Sequence, residues 1–160
     1  MKETTKVNIR TLLDKTYNRI LQLEDDEEAL NYIQWIFDKT NFRYNPDLLH
    51  SFPIFRQGVY WAHMGRNIGH EEDKHRPVLI IRSEKKSPIC TVVPLTSERL
   101  NDGYWYHIDL DGYDNTAMVE QLRVISKNRI DSPMRRKGKI ATVELTDLTK
   151  IDAEIKRMYT

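Results

Sequence analysis

The chain has 160 residues, 39% of them hydrophobic and 31% charged, with a formal net charge of +1. That suits one domain of ordinary size, or a smaller domain with an appendage. No apolar run approaches the roughly twenty residues of a membrane-spanning helix, and the start M-K-E-T-T-K-V-N lacks the apolar segment of a secretory signal. A soluble, cytoplasmic protein with no membrane partner is therefore expected.

Residues 1–53 read as a helical extension. Ile9, Leu12, Leu13, Tyr17, Ile20 and Leu21 recur at three- and four-residue steps, forming one apolar stripe. The acidic run 24–28 breaks the pattern and suits the first turn of a second helix, where negative charge meets the positive dipole end. Ala29, Leu30, Ile33, Ile36 and Phe37 are expected to make that helix's buried face. Asn45-Pro46 marks an ending, and Ser51-Phe52-Pro53 a second break. The pair reads as a hairpin lying on the rest, a dimerisation element or a partner-binding arm.

From residue 54 to 160 the texture is β. Strands are expected over 58–62, 77–82, 89–95 and 104–110, and one or two over 116–125. Turns fall at 84–87, Asn101-Asp102-Gly103, Asp111-Gly112 and Lys137-Gly138, the last leading into a short strand, 139–141. A closing helix carries Leu145, Leu148, Ile151, Ile155 and Met158 on one stripe, with Thr142 or Thr146 as its cap. Short strands, tight turns and a terminal helix imply a small, strongly bent barrel or half-barrel.

The charge is asymmetric. Residues 1–53 carry −2, seven basic against nine acidic, and residues 54–160 carry +3, eighteen against fifteen. The basic runs Arg135, Arg136, Lys137, Lys139 and Arg123, Lys127, Arg129 suit phosphate contacts or solvated turns, and +3 is too weak to argue nucleic-acid binding by itself. The single Cys90 cannot pair internally and, set in an apolar run, reads as a structural thiol.

Four pieces bear on chemistry: the loop carrying His70, Glu71, Glu72, Asp73 and His75; Arg76; Thr96 at a strand end; and Glu120, Gln121 and Arg123 within a strand. Pro77 pushes Arg76 towards extended geometry, which holds a bidentate, permanently charged fork at a strand mouth. His70 and His75 with intervening acids are a weak metal pattern, so no metal site and no cofactor are expected. A Gly-rich phosphate loop and a G-x-S-x-G elbow are both absent from the sequence. What survives is enough for RNA transesterification without metal, where the nucleophile is the substrate's own 2′-hydroxyl. Arg76 would stabilise the phosphorane, the Thr96 hydroxyl would donate to a non-bridging oxygen, and His70, Glu71 or His75 would move protons.

These blocks resemble the MazF/PemK/Kid family of endoribonuclease toxins over roughly residues 54–158. Arg56-Gln57-Gly58-Val59-Tyr60-Trp61 stands for R-G-(D/E)-(I/V)-(Y/W), and the stretch from Gly69 to Ile81 for G-(S/H)-E-Q-x-G-x-R-P-V-(L/V)-(I/V)-(I/L). Val92-Val93-Pro94-Leu95-Thr96-Ser97 stands for V-x-P-(I/V/L)-T-S, and Glu120-Gln121-Leu122-Arg123-Val124-Ile125-Ser126 for (D/E)-Q-(I/V/L)-(R/K)-x-I-(D/S). A final G-x-(I/V) matches Gly138-Lys139-Ile140. The resemblance implies a mainly β (α+β) fold, an SH3-like, CcdB/Kid-type twisted barrel with a C-terminal helix, here preceded by the helical extension, and a homodimer. It implies sequence-specific cleavage of single-stranded RNA, usually mRNA, and a cognate antitoxin whose disordered tail covers the active site. Arg76 and Thr96 fall on the family's catalytic positions, Glu71 on a loop acid implicated in RNA contact, and His70 on the loop His of the Kid/PemK branch. His75, Glu120, Gln121 and Arg123 are further candidate RNA contacts. The pattern departs at Lys74 and Glu72, which replace Gly and Gln, and at Met118, which replaces an Arg of the Kid branch. Two other readings of the same fold are a CcdB-like protein-binding toxin acting on DNA gyrase and a non-catalytic RNA-binding module. Arg76 and Thr96 argue against the first.

Overall fold

The structure, a computed structural model, describes residues 1–44 and 50–160. The expected break at Asn45-Pro46 lies outside the described residues. The chain divides into two compact units, Met1–Arg43 and Tyr44–Thr160.

The first unit is helical. Helix α1 spans Glu3–Ile20 and α2 spans Asp26–Tyr44. The acidic run starts α2 as expected: Asp26, Glu27 and Glu28 occupy its first turn, and the Asp25 side chain accepts from the Glu28 backbone N–H at 3.0 Å. The burial expected of α2 is not observed. Neither helix has a buried residue, and Leu30 and Phe37 are 72% and 61% exposed. Two helices side by side shield only a strip of each other, too little to remove whole side chains from water.

The second unit is built on an antiparallel sheet. Its strands are β1 (Val59–Gly65), β2 (Lys74–Ser83), β3 (Ile89–Thr96), β4 (His107–Asp109), β5 (Thr116–Met118), β6 (Arg123–Ser126) and β7 (Ile130–Pro133). They pair in the order β4-β5-β3-β2-β1-β7, with β6 also on β3. β3 is therefore the hub. One edge takes β2; the other takes β6 along Ile89–Val92 and β5 at Leu95 and Thr96. A separate ribbon pairs β8 (Arg135–Arg136) with β9 (Lys139–Ile140), and α3 (Leu145–Tyr159) closes the chain.

Alternation along the strands divides the core between the two faces of the sheet. Val59, Leu79, Val93 and Leu95 pack with Leu148 and Ile151 of α3, whereas Tyr60, Ala62, Val78, Ile80 and Val92 pack with Ile125 and Ile130. Arg56 binds α3 to the sheet through Asp152 at 2.5 Å. Asp147, 1% exposed, accepts from the Asp111 N–H at 2.7 Å and from Lys150 at 2.9 Å, so its burial is matched by partners.

Three expectations need correction. The strand at 104–110 is only His107–Asp109, because 105–106 turn and the Tyr104 and Tyr106 rings stack at 5.3 Å. The stretch 116–125 is two strands separated by a 3-10 turn at Val119–Gln121, which puts Glu120 and Gln121 at the turn rather than in a strand. α3 begins after Glu144, so neither Thr142 nor Thr146 is its cap.

Candidate active site

The site forms where β2 and β3 lie side by side. Arg76 sits near the start of β2, opposite Ala62 of β1, and Thr96 ends β3 opposite Thr116 of β5. Both line one cleft of about 290 Å³ with Trp61, Pro77, Leu95, Ser97, Glu98, Asn115 and Met134. This is the low end of small-molecule sites.

The Arg76 guanidinium is half-buried and held by its own loop. Nε donates to the Asp73 carbonyl at 2.6 Å, Nη1 pairs with Glu72, and Nη2 lies 3.8 Å from an Asp73 oxygen. Burial lowers its pKa, Glu98 opposes that, and Arg123 adds to it. Thr96 is 8% exposed, and its hydroxyl accepts from the Glu98 backbone N–H at 3.2 Å, leaving its own proton to donate.

Loop 66–73 is organised by Gln121. Its carboxamide oxygen accepts from the Glu72 N–H and from Arg123 Nη2, both at 3.2 Å, and its nitrogen donates to the His70 carbonyl at 3.3 Å. Asn67 donates across the same loop to the Glu72 carbonyl at 2.7 Å. Gln121 and Arg123 thus act on the loop that carries Glu72, and through it on Arg76. The left-handed φ of 65° at Lys74 re-enters the strand, a conformation natural to Gly.

The remaining predicted residues lie outside the cleft lining. His70 and Glu71 are exposed on the loop. His75 alternates away from Arg76, lies 2.9 Å from Asp131 and stacks on Trp61. The Glu120 carboxylate lies 3.0 Å from His107 Nε2, while Asp102 lies 2.7 Å from the other ring nitrogen. Both contacts are hydrogen bonds only when both nitrogens carry protons. Asp102 titrates below the usual carboxylate range: burial raises it, but hydrogen bonds from Tyr104 and His107 and the nearby charge of Arg99 outweigh burial.

Sequence reading missed Glu98, the carboxylate within the cleft, though its place two residues after Thr96 was a usable signal. It also missed His107 and Asp131, whose partners come from separate segments.

Residues 55–159 match the family described as PemK-like, MazF-like toxins of type II toxin–antitoxin systems. The chain belongs to this family. Endoribonuclease EndoA of Bacillus subtilis strain 168 is 29% identical over 86 residues, which cover 48% of this chain and 74% of that protein. Two solved structures from Deinococcus radiodurans share the fold at 16% identity. MazF superposes with a TM-score of 0.57 over 68% of this chain and 97% of its own. A chain of the MazE-MazF complex gives 0.53 over 68% and 96%. The likeness bears out the twisted, barrel-like sheet with its C-terminal helix. Among the described residues, no helix is long and apolar enough to cross a membrane.

Proposed function

We propose that this chain is the toxin of a type II pair and an endoribonuclease that cuts single-stranded RNA at a specific sequence, without a metal ion in the chemical step. The observation that carries the reading is the shared cleft of Arg76 and Thr96, a charged fork and a hydroxyl on adjacent strands.

The 2′-oxygen attacks the neighbouring phosphorus, its proton leaves to a base, and the bond to the 5′-oxygen breaks as that oxygen takes a proton. Arg76 faces the charge gathering on the non-bridging oxygens, and Thr96 donates to one of them. In this reading Glu98, a carboxylate of the cleft lining, accepts the 2′-proton, and Glu71 approaches from the loop with the substrate. His70, Glu120, Gln121 and Arg123 form or support the rim over which flanking nucleotides pass. Among the described residues, Nη2 of Arg76 has only the Asp73 oxygen 3.8 Å away, whereas Nη1 must exchange the Glu72 carboxylate for phosphate if the fork is to bind in two places. A cognate antitoxin as inhibitor, a homodimer extending the groove and a cytoplasmic setting belong to the same reading, supported by the family and by the MazE-MazF neighbour.

The test is incubation of purified protein with a long RNA in excess EDTA, beside Arg76→Ala and Thr96→Ala. Wild type is expected to cut, and Arg76→Ala to lose about 10²–10³-fold in rate, as when one oxyanion donor is removed. Cleavage lost in EDTA, or retained in both variants, would overturn the reading.

A further inference from the structure

His63 and His75 face each other directly across the β1–β2 pair, and Asp131 arrives from β7, β1's other neighbour. Their ligand atoms all lie within 4.8 Å of one another. His75 Nε2 is 2.9 Å and His63 Nε2 3.9 Å from the same Asp131 oxygen. Zinc–nitrogen and zinc–oxygen bonds near 2.1 Å put tetrahedral ligands about 3.4 Å apart, between those two distances. We propose that His63, His75 and Asp131 form a binding site for a divalent transition ion of the Zn2+ class.

Chemistry and setting both fit. Two imidazoles and one carboxylate select borderline ions over Mg2+, which prefers all-oxygen octahedra. Cross-strand partners carry their Cβ atoms within about 5.5 Å, so the backbone itself chelates. Trp61 fixes the His75 ring by stacking at 5.4 Å with a 21° tilt, and Ser132 donates to the other Asp131 oxygen at 3.3 Å. Arg129, two residues before Asp131, donates through Nη1 to the backbone carbonyls of His63 and Met64. Side-chain exposures of 32%, 41% and 42% leave an open path and room for water in the fourth position.

The site borders the cleft, because Trp61 stacks on His75 and also lines the space beside Arg76 and Thr96. An ion there would clamp β1, β2 and β7 behind that wall. It takes no part in the proposed cleavage step, so its test reads binding and not RNA cutting.

Tag-free full-length protein, stripped with EDTA and dialysed, is titrated with Zn2+ by calorimetry and with Co2+ by visible absorption. The expected result is one equivalent at micromolar concentration with a Co2+ band of low-coordinate intensity, at least tenfold weaker binding in His63→Ala, His75→Ala and Asp131→Asn, and no heat with Mg2+. Cu2+ quenching of wild-type fluorescence that Trp61→Phe diminishes gives a check without altering a ligand. No uptake by wild type, or uptake undiminished in all three ligand variants, would overturn the assignment.

Discussion

Arg76 meets two competing anions, a substrate phosphate and the Glu72 carboxylate that now holds it. Neutralising Glu72 removes the competitor while keeping the loop's shape, since its backbone N–H still donates to Gln121. Glu72→Gln is therefore expected to bind a 2′-deoxy RNA analogue about three- to tenfold more tightly, the value of roughly 1 kcal/mol from a partly exposed ion pair, read by fluorescence anisotropy. Unchanged or weaker binding would contradict that competition. Thr96→Val keeps shape but loses a charge-assisted hydrogen bond to the anionic substrate oxygen and leaves the Glu98 N–H without that acceptor, so the cleavage rate should fall about 10–10²-fold. Burial pushes the Cys90 thiol up to about 11, so it should resist thiol reagents at pH 8 until the protein is unfolded. The raised value also means that its contribution to stability is present below the ordinary thiol value and is lost as pH rises towards 11. Arg76 and Thr96 could be picked out in the sequence because Pro77 and the V-x-P-x-T-S pattern mark strand ends. His63, Asp131 and His107 could not, because each acquires its role from a partner on another segment.

Among the elements, the hinge between loop 66–73 and β2 carries a local conflict. Lys74 holds a positive φ of 65° where the family pattern has Gly. Lys74→Gly should relieve the left-handed cost, less the extra freedom given to the unfolded chain, for a net gain of about 0.5–1 kcal/mol in urea unfolding. A loss of stability there would show that the Lys74 side chain itself supports the loop. α3 is held by its buried stripe, and Ile151→Ala should cost about 2–5 kcal/mol by the same measurement. The long apolar runs of β2 and β3 declared themselves as strands because both faces are buried. β7, Ile130-Asp131-Ser132-Pro133, has too little apolar content to be read locally and exists because β1 offers it an edge. The shortening of β4 likewise comes from ring stacking among Tyr104, Trp105 and Tyr106, which outweighs their strand propensity.

For the molecule as a whole, the helical unit and the β unit differ in what holds them. The β unit buries side chains on both faces of its sheet, whereas α1 and α2 bury none. Helices without a buried face lack the tertiary packing that supplies most helical stability in proteins. Backbone amides of α1 and α2 should therefore exchange with deuterium orders of magnitude faster than those of β1, β2 and β3, and equal protection would contradict this account. Periodicity gave the helices' existence and the texture change near residue 54, but whether a stripe is covered is a property of neighbours that no local pattern contains. The proposed chemistry requires the substrate's own 2′-hydroxyl, which sets the deciding measurement. Once the cut site is mapped, an RNA carrying a single 2′-deoxy nucleotide immediately 5′ of the scissile phosphate is incubated with the protein in EDTA. The account predicts no cleavage at that site, with the unmodified RNA cut there to leave a 5′-hydroxyl on the downstream fragment. Cleavage of the deoxy-substituted site at the normal rate would contradict it.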